Sequence, residues 1–83
     1  MSYLIAVFRS RNVTLKVFDF FQARGVNCSL VSTPQGALVG CGVSLRFDEQ
    51  DFEKVKQIAF QDSFYGFFRV TVINRKTIVT KII

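Results

Sequence analysis

Hydrophobic residues along this chain fall into two rhythms, and their order outlines a fold. Residues 3–8 (YLIAVF) form a short unbroken apolar run, the pattern of a strand buried in the middle of a sheet. Ser10 then offers a side-chain oxygen as an N-cap, with Asn12 as the alternative. Thr14, Val17 and Phe21 recur on one helical face with Phe18 beside them, so the spacing predicts a helix over 11–24. Gly25 is the expected left-handed residue that closes it. Phe20 points sideways and is a candidate for an exposed ring. Residues 28–33 (CSLVST) read as a second strand, which Pro34 and Gly36 break. In 43–47 (VSLRF) the alternation is clean: Val43, Leu45 and Phe47 inward, Ser44 and Arg46 outward.

A second helix is predicted over 49–60. Asp48 can cap it, Asp51 is a capping-box partner, and Phe47 can meet Phe52 as a hydrophobic staple. Phe52, Val55, Ile58 and Ala59 give its apolar face, and the acids precede the lysines as the helix dipole favours. Residues 66–73 (GFFRVTVI) read as a strand, Asn74-Arg75-Lys76 as a turn, and 77–83 as a last strand. The order β-α-β-β-α-β plus one strand predicts an α+β, ferredoxin-like two-layer sandwich. Its sheet is antiparallel and both helices lie on one face. Val17, Phe21, Val43, Leu45, Val55 and Ile58 are expected between the layers. The opposite face must then be wet or covered by a partner.

The chain's 83 residues suit a single domain, 1–83, with 73–83 as the extra C-terminal strand. Hydrophobic residues make up 49% and ten are Phe, which excludes disorder and leaves rings to spare for a surface. Two cysteines without histidine provide no structural zinc set, and nothing points to a cofactor. The apolar start is too short for a signal-peptide core, and no run approaches the ~18 residues of a membrane span, so a cytoplasmic setting is expected. The net charge of +5 is scattered rather than clustered, so nucleic acid is a minor reading.

Cys41 is the one residue whose setting suggests chemistry. It lies between Gly40 and Gly42, where glycines let backbone N–H groups turn toward the sulfur and stabilise a thiolate. The bland alternative is a small residue filling a tight turn. Cys28, at a strand start, reads as a core or edge residue. Without histidine a Cys-His catalytic pair cannot form within one chain, and capping accounts for the clustered acids. The glycines fit neither a Walker nor a Rossmann spacing. These residues point to a carrier or binding module rather than a turnover enzyme. Arg46 and Arg69 could share the open sheet face. The RNA-recognition module has this element order too, but its third strand carries paired aromatics where this one turns Ser44 and Arg46 outward.

From Thr33-Pro34 through Cys41-Gly42 to Leu45-Arg46-Phe47-Asp48, the chain resembles the bacterial selenium/sulfur (Se/S) carrier protein-like family, a small domain of unknown function. The resemblance spans about residues 3–73 and includes Phe8, Ser10, Leu15, Lys16 and Gly25. It implies a cysteine that holds sulfur or selenium for transfer, which here is Cys41. Gln35 stands where the family usually has Arg, and Leu38-Val39-Gly40 where it often has hydroxyls. Both changes remove groups that would lower a thiol pKa. On this reading Cys41 takes the chalcogen from a donor protein and passes it to an acceptor, Gly40 and Gly42 shape the loop, and Arg46 lends a positive field.

The rival reading is a non-catalytic homo-oligomeric module, and single-stranded RNA binding is a weaker third. Phe20, the Phe64-Tyr65-Phe67-Phe68 cluster and the strand 77–83 hold more apolar surface than two short helices can cover. A homodimer through that strand or the open face is expected.

Overall fold

Strand β1 (Ser2–Phe8) is the spine of a five-stranded antiparallel sheet in the order β2-β3-β1-β4-β5. The computed structural model describes residues 2–37, 42–57 and 63–82. The remaining elements are α1 (Arg11–Ala23), β2 (Cys28–Ser32), β3 (Val43–Phe47), α2 (Phe52–Lys56), β4 (Phe64–Ile73) and β5 (Lys76–Lys81), with 3-10 turns at Gln35–Ala37 and Glu49–Asp51. Leu4 to Phe8 are all buried, which is what an unbroken apolar run becomes when both faces of its strand are covered.

Helix α1 begins and ends as the residues dictate. Val13 N–H donates to Ser10 Oγ at 3.3 Å, and Thr14 Oγ1 donates to the Ser10 carbonyl at 2.9 Å. At the other end Gly25 has φ +76°. There Gly25 N–H donates to the Gln22 carbonyl and Val26 N–H to that of Phe21, the paired bonds of a Schellman motif.

The second helix is shorter than the periodicity predicts. Its approach is a 3-10 turn closed by Asp51 N–H on the Asp48 carbonyl, and α2 proper covers Phe52–Lys56. Asp48 holds the extended N-cap backbone, yet neither it nor Asp51 makes a side-chain capping bond. The staple does form: Phe47 and Phe52 stack with centroids 6.5 Å apart. Ile58 and Ala59 lie outside the described residues.

Both helices pack on one side of the sheet. Val17 and Phe21 from α1 and Val55 from α2 share a cluster with Leu4, Ala6, Phe8, Leu45, Phe47 and Phe67. Val43, expected in that layer, is only half-buried at the start of β3.

The other face corrects the sequence reading, because it is neither wet nor in need of a partner at its centre. Ile5, Val7, Phe68 and Val70 are buried there around Ala37, which arrives from the β2–β3 connection. Ser44 is buried on that face too, not outward. The surplus of rings shrinks for the same reason. Phe67 faces the helices and Phe68 this second core, while Phe64 and Tyr65 are half-buried. A register shift opposite Val7/Phe8 starts β4 at Phe64, ahead of the predicted Gly66.

Candidate functional site

The β2–β3 connection is the candidate site, since it carries Cys41. Gly40 and Cys41 lie outside the described residues, but the two ends of the connection are well defined. Thr33 N–H donates to the Gly42 carbonyl at 3.0 Å, one step beyond the Ser32–Val43 register pair. The hydroxyls of Thr33 and Ser44 meet at 2.6 Å. These two bonds close the loop's base where the chain leaves the sheet.

From that base the chain turns back over the sheet. Ala37 N–H donates to the Pro34 carbonyl at 2.9 Å, and Ala37 is 2% exposed among the second-face residues. Gly36 sits directly against β5: a Cβ at that position would fall 3.2 Å from Val79 Cβ. A side chain at Gly36 would therefore crowd Val79, which would have to give by a few tenths of an ångström. Gly42 differs, because its φ is not left-handed and a Cβ there would meet nothing within 4 Å.

The two arginines are not brought together. Arg46 lies on the second face, its guanidinium 4.0 Å from the centroid of the Tyr3 ring. It stands three strand steps from Val43, about 10 Å. Arg69 projects on the helix side and pairs with Glu49. The cation at the loop's base is Arg11, which lines a cleft with Leu15, Leu30, Val31, Ser32 and Val43. Sequence reasoning missed it because Arg11 is far from Cys41 along the chain. The available signal was topological: with β1 antiparallel to β3, the start of α1 lies at the same end of the sheet as the start of β3.

Cys28 is settled by its surroundings. It lies 7% exposed in the helix-side core, opposite Phe47. Burial, and secondarily the Asp51 carboxylate, push its thiol pKa up. A buried thiol held protonated is a poor nucleophile.

Among the described residues no three His, Cys, Asp or Glu side chains gather as metal ligands, and no helix is long and apolar enough to cross a membrane. Residues 3–64 match the sequence model of the family described as "Putative Se/S carrier protein-like", and the chain belongs to that family. The matched stretch contains Cys41 and the whole β2–β3 connection but ends at the first residue of β4. Comparison with curated proteins and with solved structures gave no match.

Proposed function

We propose that this member of the Se/S carrier-like family carries sulfur or selenium on Cys41. The observation that carries the reading is the burial of the other thiol. The family's description names a Se/S carrier, a thiol is the group that could hold the chalcogen, and Cys28 is buried in the core with its thiol pKa raised. That leaves Cys41, on the loop whose base is closed by Thr33, Gly42 and Ser44.

The chemistry is a redox-neutral transfer. The Cys41 thiolate attacks the outer sulfur of a donor protein's persulfide. A new S–S bond forms at Cys41, the donor's S–S bond breaks, and the electron pair leaves on the donor thiolate. An acceptor nucleophile then attacks that outer sulfur and releases the Cys41 thiolate. Selenium follows the same steps with an outer selenium atom. Arg11 lines a cleft with Ser32 and Val43, beside the two ends of the connection, and adds positive charge there. Gly40 and Gly42 give the loop its small flanks, and Arg46 adds positive charge on the second face. Donor and acceptor are proteins presenting thiol or persulfide groups.

The scaffold reading that goes with this is ferredoxin-like. The order β2-β3-β1-β4 and the grouping of both helices in one core cluster support it, with β5 as an added edge. The competing module reading draws on exposed Ile73 and Ile78 near the β4–β5 turn. RNA binding draws less support, since the rings of Tyr3 and Tyr65 are engaged by Arg46, Arg9 and Lys81.

Mass spectrometry after exposure to a small-molecule persulfide tests the carrier. We expect one added sulfur atom, mapped to Cys41, removed by dithiothreitol and absent in Cys41→Ser. Addition at Cys28 alone, or none, would overturn the assignment.

A further inference from the structure

Phe20 is a ring that neither core absorbs. It is 37% exposed near the end of α1, and beside it a cleft of about 450 Å³ opens between α1 and α2. Phe20, Phe21, Arg24, Val26, Lys54 and Gln57 line it, all of them among the described residues. That volume falls within the roughly 300–1,000 Å³ of small-molecule pockets. The cleft lies at the C-terminal end of α1. Arg11 and the ends of the β2–β3 connection lie at its other end, about 20 Å away along the helix, so the carrier reading plays no part here.

The walls of the cleft sort by chemistry. Phe21 and Val26 belong to the helix-side core and form an apolar floor. The Phe20 ring meets Phe21 edge-on, with centroids 5.4 Å apart. Arg24 stacks its guanidinium 3.5 Å from the Phe20 centroid, and its Nη1 donates to the Phe20 carbonyl at 3.4 Å. The stack holds the guanidinium in place, while most of its five N–H donors have no partner among the described residues. Lys54 brings a second cation from α2, and none of the lining residues is a carboxylate. The C-terminal pole of α1 disfavours an anion, but the Phe21 and Gln22 carbonyls there already accept from Val26 and Gly25.

We propose that this cleft binds a small apolar carboxylate: a ring or short alkyl chain lies on Phe20, Phe21 and Val26, and the carboxylate meets Arg24 and Lys54. An apolar floor alone would take any hydrophobe. Two cations with no counter-charge in the lining select the anion.

The test titrates the full chain with phenylbutyrate and with octanoate, read from backbone amide signals in proton–nitrogen correlation spectra. We expect saturable shifts at Phe20, Arg24, Val26 and Gln57, with Thr77 in the β4–β5 hairpin unmoved. The tighter of the two acids tells whether an aromatic or an alkyl body fits. Phenylbutanol and octanol keep the body but lose the charge, and should bind about fivefold more weakly or worse. Arg24→Gln and Lys54→Gln should each weaken the acids about threefold or more and leave the alcohols unchanged. Phe20→Ala should weaken acids and alcohols alike. All three residues are exposed, so these variants keep the core intact. No saturable shift up to about 10 mM acid would overturn the site. Equal affinity for acid and alcohol would overturn the selection by charge. Shifts at the same amides that follow protein concentration and not the acid would give the cleft to a second copy of the chain and overturn the proposal.

Discussion

The hydroxyls of Thr33 and Ser44 lie 2.6 Å apart across the base of the β2–β3 loop, and Ser44 is fully buried there. A buried hydroxyl without a partner costs more than the bond itself yields, so this pair fixes how the two strands part. It also places a polar tie beside an apolar cluster of Ile5, Val7, Phe68 and Val70.

Removing that tie is expected to be measurable. Ser44→Ala should cost about 1 kcal/mol in denaturant unfolding, and a double-mutant cycle with Thr33→Val should give a coupling of about 0.5–1.5 kcal/mol. A coupling near zero would mean that the two hydroxyls act independently.

The two thiols should separate kinetically. Cys41 is expected to react with iodoacetamide faster than Cys28, with a rate that levels off below a pH of about 8.5. Cys28 should label only as the protein opens. The sign of its pH effect follows from its raised pKa, which burial causes first and Asp51 second. Folding favours the protonated thiol, so this contribution is intact below the unfolded-state pKa and is lost as pH rises through the folded one. Stability should therefore fall on going above about pH 8.5, and Cys28→Ala should flatten that fall. An unchanged alkaline slope in Cys28→Ala would show that another group is responsible.

Glycines divide by what their backbones require. Gly25→Ala should cost about 1 kcal/mol, because φ +76° strains any side chain even though the space is open. Gly42→Ala should change stability by less than about 0.5 kcal/mol, having neither a left-handed φ nor a neighbour to meet. Thermal unfolding of the two variants side by side checks the contrast.

These positions also show what was legible in the sequence. Ser10 and Gly25 act through bonds within a few residues, so local chemistry alone marks both ends of α1. The alternation in β3 reveals Leu45 and Phe47 as core, but it cannot reveal that Ser44 is buried too. That burial goes with the hydroxyl bond to Thr33, whose place beyond the end of β2 the alternation within β3 does not show. The excess of Phe is smaller than the sequence suggests, because two cores accommodate Phe67 and Phe68 on opposite faces, while Phe20 is exposed as its helical position predicts. Asp48 looks like a cap, but a 3-10 first turn pairs backbone with backbone and leaves its side chain out. The flanking glycines singled out Cys41 in the sequence, whereas the placement of Arg11 beside Ser32 and Val43 needed the fold.

The β4–β5 turn carries correctable strain. Asn74 and Arg75 have φ of 49° and 66° and join the Ile73–Lys76 register pair, the two-residue geometry that favours Asn-Gly. Relief of the left-handed cost at Arg75 exceeds the added freedom of glycine in the unfolded chain. Arg75→Gly is expected to stabilise the protein by about 0.5–1 kcal/mol, read as a higher urea midpoint at unchanged slope. A lower midpoint would mean that the arginine side chain contributes more than its backbone loses.

Association should centre on the hairpin rather than on the sheet face, whose middle the loop already covers. Ile73 and Ile78 are 52% and 50% exposed, and both project on the helix-facing side of a strand pair that ends at the sheet edge. Val72 adds 37% exposure on the other side. An edge with this apolar content pairs with another copy or invites aggregation, and Lys76 and Lys81 at its ends disfavour an in-line pairing that would oppose like charges. A homodimer packed through the isoleucines meets both conditions and should bury at least ~1,000 Å² in total. Deleting the strand is a poor test, because Val79 and Ile82 pack into the two cores. Ile78→Lys is the better one. Light scattering should give a dimer mass for the wild type at high micromolar concentration and a monomer mass for the variant, with thermal unfolding of the diluted proteins nearly unchanged. A wild-type monomer at that concentration would show that the exposed isoleucines are tolerated singly at the surface and do not form an interface.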